Sequence, residues 1–408
     1  MASDAGKDTL RNHGISRLRG AGYWAETRRR SLSSHSGDLS EATPTLPPFP
    51  ESKPISSSYT TFTLPFSKDP ALHEVYVGGM TSVRMGRLME DFDTLAGSIA
   101  YNHCLPDGYG AQDARKFGIY VVTAAVDRLD MLHPISVEEP EDLQLSGYVA
   151  NVGKSSMSIF VRLASLSSGT PKTLLHGRFT MACRNLKTGK SHPVPQLRLE
   201  TEDERRVAEF AKRLKEAKSG GGGTVRDVGP NERESKALHD LFLGKETKNW
   251  FDNRATSPKE VVWTRDTKKE RNVHGKIFGG YLMRLAYETA WTTASLFARS
   301  AVNFLSLDEL SFHKPVEIGS LLQLASTVVF SPTVGQHKSF QVNVEATTIK
   351  LPMGEEIVTN TFSFTFESRD YLDRYVLPRS YRESIDWLDA IRRRRTGIKI
   401  RNLYENLP

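Results

Sequence analysis

The chain has 408 residues, 38% of them hydrophobic and 25% charged, with a formal charge of +7 and a pI near 9.2. That length suits two or three domains of roughly 100 to 200 residues, and no apolar run approaches the roughly 18 residues a membrane-spanning helix needs. The two cysteines, Cys104 and Cys183, are too few for a disulfide framework or a four-ligand zinc site, and with no His/Cys cluster no metal is expected.

Residues 1 to 57 are rich in Ser, Pro, Gly and Arg without an apolar period, so this segment is expected to be disordered or removed. Its basic residues (Lys7, Arg11, Arg17, Arg19 and Arg28 to Arg30) and the serine cluster from Ser31 to Ser36 resemble a mitochondrial transit peptide. Asp4, Asp8 and Glu26 are acids that such peptides usually lack, which leaves an ordinary tail as the alternative.

From Arg87, the residues Leu88, Met89, Phe92, Leu95, Ala96, Ile99 and Ala100 recur at three- and four-residue steps and predict an amphipathic helix that follows Gly86. Strands are predicted over about 117–132, 142–152, 155–167 and 173–186, with apolar alternation in Ile159, Val161 and Leu163 and again in Phe179, Met181 and Cys183. Residues 201–218 read as a charged helix with Val207, Phe210, Ala211 and Leu214 on one face, and 219–223 as a flexible connector.

The second half repeats the order. A loop from Asn272 enters a helix at the glycine pair Gly279 and Gly280, with Leu282, Leu285, Ala286, Thr289, Ala290, Thr293, Leu296 and Phe297 on its apolar face. Strands are predicted over about 301–314, 319–331, 338–350 and 355–369. The run Val126 to Leu129, followed by His133-Pro134-Ile135, corresponds at equal offsets to Leu307 to Leu310, followed by Lys314-Pro315-Val316. The chain thus reads as two copies of one α+β unit, each a helix that an antiparallel sheet can curl around. Near the C-terminus Trp387, Leu388 and Ile391 predict a covering helix, and Arg392 to Arg395 read as its solvated end.

Three acids, Glu90, Asp91 and Asp93, lie in the first turns of the first helix, where the helix dipole alone accounts for carboxylates. Spacing points Glu90 away from the apolar stripe and leaves Asp91 and Asp93 both on its borders. The glycine pair is either a turn before a core helix or a place where unpaired N–H groups meet a phosphate or a carbonyl oxygen. Gly147 and Gly153-Lys154-Ser155 do not make a P-loop, because five residues rather than four separate the glycines. There is no Gly-x-Ser-x-Gly nucleophile elbow. The positive charge is concentrated near the two ends, without an aromatic-interleaved basic surface, so no nucleic-acid partner is expected.

The stretch His274 to Arg284 (HGKIFGGYLMR) resembles the loop and helix start of hotdog-fold acyl-CoA thioesterases, most closely the mitochondrial acyl-CoA thioesterase 9 group. RLMEDFDTL at Arg87 to Leu95, VTAAVDRLDM at Val122 to Met131 and SGYVANVGKSSM at Ser146 to Met157 match that group in the same order. The resemblance runs from about Ser58 to about Leu388. It implies a tandem hotdog with units at 58–200 and 256–370, a linker at 201–255 and a helical tail at 371–408. It also implies hydrolysis of acyl-CoA to free acid and coenzyme A without a cofactor, in a homo-oligomer of the mitochondrial matrix or, alternatively, the cytoplasm.

The same resemblance places Asp93 at the helix-borne catalytic acid, facing the loop Asn272 to Lys276 across the interface of the two units. Gly280 is then expected to polarise the thioester carbonyl, while His274 or Asn272 orients water or merely forms the turn. Gly275, Lys276, Gly279, Gly86 and Arg87 are the expected substrate contacts. Several relatives have Asn or Asp where this chain has Lys276, so that role does not carry over, and a non-catalytic acyl-CoA-binding or partner-binding protein is the alternative. Tyr287 stands where a second catalytic acid would, so one competent site is expected.

Overall fold

The computed structural model describes residues 46–78, 83–135, 140–167, 170–219, 224–243, 259–263, 277, 279–308, 310–312, 316–332, 337–350, 352 and 354–405. Its helices are α1 (Ile55–Ser58), α2 (Pro70–Tyr76), α3 (Met85–Cys104), α4 (Glu202–Ser219), α5 (Glu232–Leu243), α6 (Gly279–Ala298) and α7 (Tyr381–Glu405). The strands are β1 (Ser52–Pro54), β2 (Thr60–Leu64), β3 (Ile119–Met131), β4 (Leu143–Val152), β5 (Ser156–Ser165), β6 (Lys172–Asn185), β7 (Gln196–Arg198), β8 (Lys259–Trp263), β9 (Val302–Leu307), β10 (Leu310–Ser311), β11 (Leu321–Phe330), β12 (Ser339–Lys350) and β13 (Glu355–Ser368).

The large sheet runs β2-β4-β5-β6-β3-β9-β13-β12-β11-β8, antiparallel at every pairing, with β10 also on β3. α3 lies against β3, β4, β5 and β6, and α6 against β9, β11, β12 and β13. This is the expected mixture of helix and antiparallel sheet. The apolar stripe of α3 is buried from Leu88 to Ala100, and in α6 from Leu282 to Phe297. Leu296, expected on that stripe, is exposed, because the α6 contacts with α3 lie in its first half and the helix then runs past its neighbour.

Strands β3 and β9 join the halves through the pairs Leu129↔Leu307 and Asp130↔Ser306. The two long helices pack against one another in antiparallel register, since Arg84 bonds Glu288, Glu90 bonds Arg284 and Asp93 bonds Gly280. Gly86 allows that approach. A Cβ there would lie 2.9 Å from Arg284 Cγ and 3.2 Å from both its Cα and its carbonyl oxygen, so any side chain would push the helices apart.

Residues 46–57, expected to continue a disordered segment, are ordered because they close the end of α3. Lys53 in β1 is buried and donates to the carbonyls of Asn102 (2.9 Å) and Leu105 (2.6 Å) and to Asp107 Oδ1 (2.9 Å), which satisfies acceptors that a helix C-terminus leaves open. Residues 1–45, with the candidate transit peptide, lie outside the described residues. Both cysteines are buried and free.

The arginine run is not the solvated end expected of it. Arg392 pairs with Glu234 of α5 at 2.8 Å, Arg393 reaches Gln341 and Asn343 of β12 at 3.4 and 3.5 Å, and among Arg392 to Arg395 only Arg395 is exposed. The reason is periodicity. Four successive residues at about 100° per residue point all round a helix, so some must face whatever the helix covers. α7 covers both halves: Ile385, Trp387, Leu388 and Ala390 pack with Val225, Val329 and Phe330, while Ile400 packs with Ala150, Phe160, Ala211 and Leu214.

Candidate active site

Asp93 is on the third turn of α3, on the face packed against α6 and β3, and is 1% exposed. Its Oδ1 accepts the Thr123 hydroxyl of β3 at 2.6 Å, and its Oδ2 accepts the Gly280 N–H of α6 at 2.7 Å. The second bond ties the two halves together. It also has a plain electrostatic cause, because the first N–H groups of a helix lack intrahelical partners and stand at the positive end of its dipole.

Burial pushes the Asp93 carboxyl from its ordinary 3.8 up to about 6, against the hydrogen bonds from Thr123 and Gly280, which pull it down; the charge of Glu90 adds to the rise. A carboxylate of this kind is ionised at neutral pH yet more basic than an exposed one, which is what proton abstraction requires.

The neighbouring acids have other partners. Asp91 accepts the Tyr76 hydroxyl at 2.5 Å, and Glu90 accepts from Arg87 at 2.7 Å and from Arg284 at 3.0 Å. Of the expected substrate contacts, Arg87 thus already has a carboxylate partner, and Gly86 lies at the helix crossing rather than beside Asp93. Gly279 does border the carboxylate: a Cβ there would stand 3.2 Å from Asp93 Oδ2 and 3.2 Å from Phe312 Cζ. The Gly280 N–H, expected to hold a thioester oxygen, here holds Asp93 instead. Asn272, His274, Gly275 and Lys276 lie outside the described residues. Just beyond that loop the chain is anchored by the Ile277 N–H, which donates to the Val316 carbonyl at 3.1 Å.

Thr123 was not singled out by sequence reasoning, although it lies within the VTAAVDRLDM stretch. Its signal was a hydroxyl in an otherwise apolar strand segment, and such threonines are ordinary strand residues. At Tyr287, which stands in α6 where Asp93 stands in α3, aromatic rings fill the space. Phe304 and Phe364 have centroids 5.8 Å from the Tyr287 ring, and Phe366 6.0 Å. Burial pushes the Tyr287 phenol above its usual range, so it offers no base there.

No family model matches the chain. The human mitochondrial acyl-coenzyme A thioesterase 9 is 32% identical over 83% of this chain and 77% of its own length. Mouse mitochondrial acyl-coenzyme A thioesterase 10 is 33% identical over 85% and 78%, and a chloroplastic acyl-coenzyme A thioesterase 2 of Humulus lupulus 33% over 78% and 74%. A solved apo-hexameric acyl-CoA thioesterase is 26% identical over 44% of this chain and 99% of its own, with a TM-score of 0.34. Identity of about a third, sustained over more than three quarters of both chains in the human and mouse cases, makes this protein a member of the acyl-coenzyme A thioesterase 9 family and a thioester hydrolase.

Proposed function

We propose that the protein hydrolyses acyl-CoA at one site per chain, with Asp93 as the base that activates water. The observation that carries this reading is the buried carboxylate fixed by Thr123 and by the Gly280 N–H of the other half. Each oxygen of a carboxylate has two acceptor positions, so one on each remains for water. Water loses a proton to Asp93 as its oxygen attacks the thioester carbon. The tetrahedral adduct then collapses with cleavage of the C–S bond, and the proton goes to the departing sulfur, giving free acid and coenzyme A.

The start of α6 supplies the donors for the carbonyl oxygen. As Asp93 takes the proton it becomes a weaker acceptor while charge grows on the substrate oxygen, so the Gly280 N–H exchanges from one to the other. Gly280→Val should lower turnover by about 10² or more, with helix content by circular dichroism and the thermal melt retained. A folded variant with normal turnover would assign the oxyanion elsewhere. Thr123→Val removes a hydrogen bond to a charged group and should cost roughly ten- to a hundredfold in kcat/KM. Because that bond pulls the Asp93 carboxyl down, the acid limb of activity should move to higher pH in this variant.

The repeated order of elements supports a tandem hotdog. Asp93 and Tyr287 each follow a glycine of the helix start by seven residues, Gly86 and Gly280 respectively, and the aromatic filling round Tyr287 supports a single competent site. The mitochondrial names of several relatives and the basic, serine-rich N-terminal segment support the mitochondrion, and the matrix is the compartment proposed within it. A homo-oligomer is the expected assembly, which light scattering would check. Release of free thiol from a panel of acyl-CoAs tests the function itself; absence of release from every member would overturn it.

A further inference from the structure

Phe312 has no part in the proton transfers described above, yet its ring and the Asp93 carboxylate border the same residue, Gly279. It follows β10, and its N–H donates at 3.0 Å to the carbonyl of Ala124, where the register of β3 against β6 shifts. That irregularity directly follows Thr123. The ring is half-buried against the common core. Its Cζ and Cε1 lie 3.2 and 3.6 Å from the point where a Gly279 Cβ would be, and Asp93 Oδ2 lies 3.2 Å from the same point. Ring edge and carboxylate oxygen therefore flank one backbone position, where a Cβ would press on both.

We propose that Phe312 is a positioning residue for the hydrolysis, its ring keeping bulk water from Asp93 and forming the apolar wall against which the thioester lies. The inference rests on Asp93 being the base. An aromatic edge offers no hydrogen bond to a carboxylate oxygen, so it holds back bulk solvent while the carboxylate keeps the Thr123 and Gly280 donors and its remaining acceptor positions for the attacking water.

Among the described residues, the other charged and titratable groups near Asp93 are engaged elsewhere. On α3, Glu90 is held by Arg87 and Arg284, and Asp91 by Tyr76. On α6, Glu288 is held by Arg84 and Arg284, and Tyr287 by its aromatic neighbours. From β3 the contact is the Thr123 hydroxyl, while Asp127 accepts from Arg178 and Thr180. Of these, Glu90 adds to the elevation, and burial is the larger cause.

The test is the pH dependence of kcat/KM for thiol release from acyl-CoA by wild type, Phe312→Ala, Phe312→Tyr, Phe312→Leu and Asp93→Asn, each with its thermal melt. Admitting water with Ala, or placing a hydroxyl at the ring edge with Tyr, should move the acid limb to lower pH by about half a unit or more. Above the limb kcat should fall, since the carboxylate becomes a weaker base. Leu restores an apolar wall and should keep the limb within a few tenths of a unit of the wild-type position. If Phe312→Ala does not fold, Phe312→Tyr decides alone. Folded Phe312→Ala and Phe312→Tyr proteins whose limbs stay at the wild-type position would overturn the role of Phe312. Failure of the underlying reading looks different: the limb would then persist in Asp93→Asn.

Discussion

Asp93→Asn is expected to lower turnover by about 10² to 10⁴, the range for loss of a general base, while the fold and substrate binding remain. Asparagine matches the carboxylate in shape. Its amide oxygen accepts the Gly280 N–H, and its amide nitrogen donates to the Thr123 hydroxyl, which can also accept, so both contacts persist. What disappears is the basic oxygen.

The melting temperature separates this from simple damage. The folded Asp93 pKa is raised above its unfolded value, so the stability it contributes is fully present below about pH 3.8 and lost as pH rises through about 6. At pH 7.5 the asparagine protein should therefore melt no lower than wild type. A lower melt accompanying the lost activity would make Asp93 a helix cap for α6 rather than a base. Asp91→Asn is the control: its carboxylate meets Tyr76, away from the site, and turnover should stay within a fewfold of wild type.

Arg128→Met is expected to destabilise the fold by about 3–5 kcal/mol, the cost of removing one partner from a buried ion pair. Arg128 is 8% exposed, bonds Asp130 at 2.7 Å through Nε and bonds Asp308 through Nη1, with α7 packed over it at Gly397. Asp308 follows β9, so this arginine neutralises one carboxylate from each half at their seam. Burial by itself would lower its pKa; Asp308 and Asp130 outweigh that and hold it above its usual value. Removing Arg128 takes away the cation hydrogen-bonded to both Asp130 and Asp308 and leaves them facing each other with only the longer-range charges of Arg401 and Arg393. An exposed pair such as Arg205–Glu202 should cost under about 1 kcal/mol when broken. Denaturant unfolding of both variants measures the contrast, and equal losses would show that the seam does not depend on Arg128.

Long apolar periods made most of the fold legible. The predicted strands at 117–132 and 142–152 are β3 and β4, and the predicted helix starts fall within a residue or two of Met85 and Gly279. Short elements were missed because three to five residues carry no usable period: β1, β2, β7 and β8 all belong to this class. α5 was missed for another reason, since it sits in a stretch read only as a linker.

At the site, the helical spacing left Asp91 and Asp93 open, and only the family resemblance favoured one of them. The structure accounts for the ambiguity, because both lie at the border of the stripe, Asp91 half-buried against Tyr76 and Asp93 buried against Thr123 and Gly280. Thr123 and Phe312 could not be found from spacing. They reach Asp93 through strand pairing and an irregularity in β3, which are long-range outcomes that no local pattern encodes.

The pH dependence of kcat/KM for the wild-type protein acting on acyl-CoA tests the central assignment most directly. A carboxylate base that burial holds near 6 requires activity that is level above that value and falls tenfold for each unit below it. Activity that stays level down to pH 4.5, or a limb near 6 that survives in Asp93→Asn, would contradict Asp93 as the base.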